Sequence, residues 1–548
     1  LVEEKIMLKK IRTLSRFVPW GICILIALLI VSGLRLSSSW DMWFFAVVFV
    51  YLSWMGLNDV MQTKHAITNN YPVSGHLRFL FETFRPEIRQ YLLESDTEKL
   101  PFSRNQRALV YQRAKGESDK RPLGTIEDAY RQGMEWLPHT INPTKHIAIN
   151  DLRTRVGGAK CLMPYDISLF NVSAMSFGSL SGNAIMALNK GAKMGGFAHD
   201  TGEGSVSDYH RRYGGDLIWE LGSGYFGCRK ADGSFDPDLF AKVASEPQIK
   251  MIEIKISQGA KPGHGGVLPA AKITPEIAKT RGIPMGEDCI SPAGHSKFST
   301  PLELMQFIEE LRSLSQGKPI GFKLCIGKLS EWFAIIKAML DTGTRPDFIV
   351  VDGSEGGTGA APVEFVDHVG TPMRDGLRLV HASLVGAGLR DEIKIGVAGK
   401  IISAFDIARA CAIGADWCNA ARGFMFAVGC IQSRACHTDL CPTGVATQDE
   451  MRQRALNPED KSHRVFHYHQ NTLVALSELL SASGYNHPKE LNANSVIHRN
   501  ELGRAVPMGI NLLQLEAGVL LKNNAHEYLD KHFDGLGSYW LEASSANW

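Results

Sequence analysis

Cys430, Cys436 and Cys441 stand in the run Cys-Ile-Gln-Ser-Arg-Ala-Cys-His-Thr-Asp-Leu-Cys-Pro, with five residues between the first two cysteines and four between the last two. Thiolates so spaced on one compact loop can close around a soft iron–sulfur core, and a proline directly after the last cysteine is a feature of ferredoxin-type runs. Three local ligands suit a three-iron cluster, one corner short of a four-iron one. Zinc held by the three thiolates and His437 is the metal alternative, although zinc loops more often leave about two to four residues between cysteines. Three inert buried cysteines are the bland reading. Cys161, Cys228, Cys289, Cys325, Cys411 and Cys418 read as small buried hydrophobes, and Cys23 sits inside an apolar run.

A second group of residues is rich in glycine: Asp352-Gly353-Ser354-Glu355-Gly356-Gly357-Thr358-Gly359, Gly399-Lys400 and Arg422-Gly423. Such loops let backbone N–H groups approach a phosphate. Ser176-Phe177-Gly178, Thr201-Gly202-Glu203-Gly204 and Gln258-Gly259-Ala260-Lys261 add hydroxyl, carboxylate, amide and ammonium groups.

Nearly all of these follow a short β-branched or apolar run, and that fixes what must position them. The runs are Asn171–Met175, Gly196–His199, Met251–Ile256, Cys289–Ser291, Pro319–Leu324, Asp347–Val351, Ile393–Val397 and Asp416–Ala420. Helix-like segments separate several of them: Asn183–Lys193, Pro301–Ser315, Leu329–Leu340, Leu377–Gly388 and Ser403–Ile413. Alternating strands and helices imply a parallel sheet, and eight units imply an α/β fold closed as a (βα)8 TIM barrel, with its chemistry at the C-terminal ends of the strands. An open doubly wound sheet is the alternative. The cysteine loop directly follows the eighth run, so it is expected beside the same mouth.

With 59 basic and 57 acidic residues in 548, the chain has no electrostatic footprint for nucleic acid. Its N-terminus is the outlier: between Phe17 and Leu57 only Arg35 and Asp41 are charged. Two spans, about 17–34 and 40–57, are expected to form a membrane hairpin turning at Arg35-Leu36-Ser37-Ser38-Ser39, with Trp20, Trp40 and Trp43 near the interfaces. Lys5, Lys9, Lys10, Arg12 and Arg16 precede the first span, which places the large domain on the cytoplasmic side of the membrane. A signal peptide would show a shorter apolar core and a small-residue cleavage site. The expected order is a membrane hairpin at 1–60, a helical linker region at 61–130, the barrel at 131–485 and a C-terminal extension at 486–548.

The cysteine run extended through Pro442-Thr443-Gly444-Val445-Ala446-Thr447-Gln448 resembles the signature of the FMN-binding domain of glutamate synthases. So do Ser173-Ala174-Met175-Ser176-Phe177-Gly178, Thr201-Gly202-Glu203-Gly204, Lys255-Ile256-Ser257-Gln258-Gly259-Ala260-Lys261-Pro262-Gly263, and Asp352-Gly353 with Gly356-Gly357-Thr358-Gly359, in the family's order. The resemblance implies FMN, a [3Fe–4S] cluster on Cys430, Cys436 and Cys441, and reductive amination of 2-oxoglutarate through 2-iminoglutarate. By the same likeness Glu203, Gln258, Lys261 and Arg281 are expected to handle substrate. Ser173, Ala174, Met175, Ser176, Gln258, Lys323, Asp352, Gly353, Gly356, Gly357, Gly399, Lys400, Arg422 and Gly423 are expected around the flavin.

The chain departs from the family at two places: His264 stands where the large synthases carry Glu, and Ser205 replaces a glycine. A glutaminase domain and a strand–GxGxxG–helix nicotinamide fingerprint are not found in the 548 residues, so ammonia is expected from solution or an amidotransferase subunit, and electrons from a ferredoxin-like or flavoprotein donor. Two rival readings are an N-methylglutamate synthase type that uses methylamine, and a membrane-anchored electron-transfer module without amination.

Overall fold

The computed structural model describes residues 15–34, 40–96, 98, 101–533 and 535–548. The basic residues before Arg16 and the turn Arg35–Ser39, on which the expected topology rested, lie outside them. The chain divides into two compact units, Leu1–Glu98 and Lys99–Trp548.

In the first unit, helix α1 (Val18–Gly33) packs on α2 (Trp40–Met61). The lengths depart from the expected spans of about 17–34 and 40–57. α1 has 16 residues, whereas α2 has 22 and is apolar enough to cross a membrane; it is the one described helix that meets both conditions. α2 outruns its apolar stretch because Asp59 is not left bare: its carboxylate accepts from the Val73 N–H at 3.0 Å and pairs with the His76 ring at 2.8 Å. Trp20, expected at an interface, instead packs between the helices. Its indole N–H donates to the Ser53 carbonyl at 2.9 Å, and a Cβ on Gly56 would stand 2.2 Å from its ring.

The second unit is built on a closed barrel of eight parallel strands in sequential order, β1 (Phe170–Val172), β2 (His199–Asp200), β3 (Leu217–Leu221), β4 (Ile249–Lys255), β5 (Ile320–Leu324), β6 (Phe348–Asp352), β7 (Lys394–Ala398) and β8 (Trp417–Ala420). β8 closes on β1 through Cys418–Phe170, Asn419–Asn171 and Ala420–Val172. Seven strands coincide with expected runs, and one does not. Cys289–Ile290 forms a short antiparallel pair with Val267–Leu268 outside the barrel, and the third strand is Leu217-Ile-Trp-Glu-Leu221. The run Cys289–Ser291 is too short to cross a barrel wall. The charge of Glu220 masked the true strand, although all five of its residues are buried.

Alternation along each strand sorts the side chains. Leu217, Trp219 and Leu221 join the large core under the outer helices, while Ala198, Ile218, Met251, Phe348, Val350 and Trp417 form a second core inside the barrel. The hairpin of Arg153–Val156 and Tyr165–Ser168 closes that inner core from below through Val156 and Ile167. Helices Gly182–Gly195, Pro301–Leu314, Leu329–Thr342, Met373–Gly386 and Ala404–Ile413 stand where the sequence places them, within a few residues. The 25-residue helix Pro458–Ala482 packs across Gly182–Gly195. The C-terminal stretch belongs to this unit: Lys337 donates to the Trp540 and Ala543 carbonyls.

Candidate functional site

Above the apolar inner core the same strand faces turn polar. Asp200, Glu220 and Glu253 come two residues after Ala198, Ile218 and Met251, and their carboxylate oxygens lie within 4.8 Å of one another. Lys323 reaches into this group from β5; it pairs with Glu220 and lies 3.3 Å from Glu253. All four are almost wholly buried. Three carboxylates facing one ammonium in a dry interior cannot all stay ionised. Burial and the Glu220 charge push Asp200 up to about 7 against the pull of Lys323. Burial also drives Glu253 well above the carboxylate range. The ammonium fills the place a metal ion would take.

Two residues further up β4, Lys255 meets Glu203 from the loop after β2, Nζ to Oε2 at 2.8 Å. Burial works against the Glu203 charge, but the Lys255 ammonium, with Arg281 and Lys261 behind it, holds the carboxyl below its ordinary range. Two glycines make room for it. A Cβ on Gly266 would stand 2.1 Å from Glu203 Oε1, and one on Gly222 would stand 2.9 Å from its Cβ. Lys261 is 2% exposed, and its Nζ is buried with no hydrogen-bond partner among the described residues. Burial lowers its pKa, which the Glu203 charge partly offsets.

Arg281 ends the short helix Pro275–Arg281 and is buried. Its Nη2 donates to the Phe177 carbonyl at 3.1 Å and the Ser176 hydroxyl at 3.4 Å, so it grips the loop after β1, and its Nε has no partner among the described residues. Gln258 is half-buried in the loop after β4. That loop meets the loop after β6 backbone to backbone: a Cβ on Gly259 would lie 1.8 Å from the Gly353 carbonyl oxygen, and the Gly259 N–H donates to Asp352 at 2.8 Å. His264 turns its Nδ1 to the Gly265 carbonyl at 2.8 Å and sets its ring edge-on to Phe365. Ser205 adopts φ 72°, the left-handed conformation that glycine favours, and its hydroxyl fits because Gly227 opposite has no side chain.

Of the residues expected around a flavin, Ser173 and Met175 are buried, while Ala174 and Ser176 are half-buried at the mouth. Gly353 and Gly399 pack close to Met373 and Glu355, and the Glu355 carboxylate accepts from the Met373 N–H at 2.9 Å. Gly356 lies 3.3 Å from the Gly353 carbonyl by its would-be Cβ. Arg422 donates to the Gly357 carbonyl at 3.0 Å and so ties the loop after β8 to the loop after β6. Gly423 admits the Tyr468 hydroxyl, and Lys400, at φ 50°, sets its ammonium 5.6 Å over the Phe102 ring.

The cysteine loop leaves β8 through the helical turn Arg422–Ala427 and is fastened on several sides. Gln448 donates to the Gly178 and Leu180 carbonyls at 3.0 and 2.9 Å, the Tyr111 hydroxyl donates to the Cys430 carbonyl at 2.7 Å, and buried Lys272 donates to the Cys436 carbonyl at 2.9 Å. A Cβ on Gly359 would lie 3.2 Å from that of Cys436, so the glycine loop of β6 rests directly on the cysteine loop. Burial raises the Cys441 thiol, but the N–H groups of Ala446, Thr443 and Val445 and the Thr443 hydroxyl outweigh it and favour the thiolate. Burial pushes Cys430 up to about 11, reinforced by the nearness of Cys436 and Cys441. Among the described residues only the buried acids bring three ligand atoms within 4.8 Å of one another, whereas a single zinc would hold its sulfurs about 3.8 Å apart. Cys430 lies close enough to Cys436 and Cys441 for their charges to interact, and N–H groups are aimed at the Cys441 and Cys430 sulfurs, a donor set that fits an iron–sulfur core.

Sequence reasoning assigned no role to Asp200, Glu220, Glu253 and Lys272, or to Lys255, although Lys255 opens one of the family blocks. The signal was there for two of them: Glu220 and Glu253 are acids inside otherwise apolar strand runs.

The profile described as "Conserved region in glutamate synthase" matches residues 116–486. The glutamate synthase large subunit-like protein YerD of Bacillus subtilis is 37% identical over 501 residues, which cover 84% of this chain and 95% of that protein. The archaeal glutamate synthase (NADPH) of Methanocaldococcus jannaschii is 36% identical over 324 residues, 59% of this chain and 60% of that one. The chain therefore spans less than two thirds of the archaeal protein. With a profile match over most of its length and near full-length likeness to the Bacillus protein, this chain belongs to the glutamate synthase family.

Proposed function

We propose that the barrel is an oxidoreductase that converts 2-oxoglutarate and ammonia to glutamate, consuming two electrons and two protons and releasing one water. The observation that carries this reading is the Lys261 ammonium, buried and without a hydrogen-bond partner among the described residues, near the ion pair of Glu203 and Lys255. An orphaned buried cation is costly, and the cost is recovered when an anionic ligand arrives. 2-Oxoglutarate brings two carboxylates, and Lys261 takes one as a point charge. The free Nε edge of Arg281 adds positive potential. Glu203, held ionised, attracts the ammonium ion and accepts the proton that this ion must shed before the resulting ammonia attacks the ketone. Gln258 orients the carbonyl.

FMN at the barrel mouth and a [3Fe–4S] cluster on Cys430, Cys436 and Cys441 belong to the proposal. When bound, they supply hydride chemistry and one-electron transfer respectively. Lys323, locked by Glu220 and Glu253, places a fixed positive charge under the mouth, and the contact of Gly359 with Cys436 keeps the two sites adjacent. Electrons come from a separate donor protein, and ammonia from solution or an amidotransferase. α2, with α1 beside it, tethers the enzyme to the membrane with the barrel on the cytoplasmic side.

The test is glutamate formation by purified protein loaded with FMN and iron–sulfur cluster, from 2-oxoglutarate, ammonium and a chemical reductant. No glutamate under those conditions overturns the reading. His264, edge-on to Phe365, lines this region with a less charged wall than a glutamate would, and that favours a second reading in which the amine is methylamine. A competition between ammonium and methylamine decides between them.

A further inference from the structure

We propose that the helix Gly75–Ile88 and the turn Arg89–Leu93 that continues it lie along the lipid–water boundary, with an apolar face in the acyl region and an arginine edge toward anionic headgroups. The proposal rests on the membrane tether above and adds a third lipid contact to it.

The first observation is the pattern. Leu77, Leu80, Phe81, Phe84, Ile88 and Leu92 recur at intervals of three and four, so they share one face of a helix. Arg78, Arg85 and Arg89 recur at intervals of seven and four along one edge of that face. The second observation is exposure. Every residue from Leu77 to Arg89 is exposed; Phe81 is 65% exposed and Leu92 is 77% exposed. A solitary helix of this length is marginal in water, and an apolar stripe of this size needs a cover.

The third observation names the cover. The elbow between α2 and this helix is tightly bonded. Gln62 accepts from the His65 N–H at 2.7 Å, Asn69 donates to the Val60 and Gln62 carbonyls at 2.8 and 3.0 Å, and Asp59 holds both Val73 and His76. Asp59 lies in the last turn of α2, so the new helix begins at the depth where the apolar span ends. A helix that starts at that depth with an unburied apolar face has the acyl boundary beside it. Arg85 stands at the rim of this face between Arg78 and Arg89, whose surface pairs with Glu82 and Glu98 at 3.0 and 2.6 Å are weak enough for headgroup phosphates to replace. Interfacial helices bury their apolar side by roughly 5–10 Å.

The test uses the full chain in vesicles of phosphatidylcholine with or without phosphatidylglycerol. A fluorescent residue replaces Val47 in α2, Phe81, or Leu162 on the exposed surface of the barrel unit, and brominated lipid is the quencher. Quenching is expected at positions 47 and 81 and not at 162, strongest at 81 when the bromines sit near the headgroups. R78Q, R85Q and R89Q together should reduce quenching at 81 only in the anionic vesicles. Quenching at 47 without quenching at 81 overturns this proposal and leaves the tether standing, as does a second copy of the chain shielding position 81. Absence of quenching at 47 overturns the tether and this proposal with it.

Discussion

The Lys255 ammonium lies 2.8 Å from the Glu203 carboxylate, in a cradle that two glycines, Gly222 and Gly266, leave open for the acid. Both side chains are mostly buried, so neither charge has water as a substitute partner. Glu203→Gln should therefore cost about 3 kcal/mol of stability by leaving Lys255 unpaired, and abolish glutamate formation. The pair also has a pH signature. The folded carboxyl is held below its unfolded value, so its stabilisation is present above about pH 4.3 and is lost as pH falls through the folded value. Urea unfolding of the wild type and of E203Q between pH 3 and 7 measures both effects.

Asp200 works in the opposite direction. Its folded pKa is raised to about 7, so the stability it contributes is complete below its unfolded value of about 3.9 and is lost as pH rises through about 7. Stability should fall between about pH 4 and 7, and Asp200→Asn, which cannot ionise, should flatten that slope. Unfolding curves that show no difference in slope between the two proteins would refute a shared buried proton.

Lys261→Met should separate stability from binding. Removal of a buried ammonium that has no hydrogen-bond partner among the described residues should leave stability unchanged or raise it by about 1 kcal/mol. The same change should weaken 2-oxoglutarate binding by a factor of roughly 10–100, the value of a charge-assisted hydrogen bond. Thermal unfolding and ligand titration on the same preparation read the two effects.

Ser205 and Gly227 form a coupled pair. Ser205→Gly relieves a left-handed serine and should stabilise the protein by up to about 1 kcal/mol. Gly227→Ala would place a Cβ 2.0 Å from the Ser205 hydroxyl at φ 87°, and should destabilise by more than about 2 kcal/mol. The double variant should recover the steric part of that loss, which a double-mutant cycle measures.

Seven of the eight barrel strands were legible because buried parallel strands leave short apolar runs with glycine after them. The eighth was not, because Leu217–Leu221 carries Glu220 where an apolar residue was expected. The cysteine loop and the mouth residues were legible from residue type and spacing. Their neighbours were not: nothing local to Lys255 indicates Glu203, and nothing local to Lys272 indicates Cys436, which is 164 residues away.

Strand and helix order, the three thiols and the apolar N-terminal stretches can be read along the chain, because each is a pattern of neighbours. Which charges meet depends on how distant segments fold together. The closure of β8 on β1 turns alternate residues of separate strands into one interior, and there the dielectric is low enough that Lys323 must pair and Asp200 keeps its proton far above the usual carboxylate range, while in the loop above Lys261 is left with a charge for a ligand to answer.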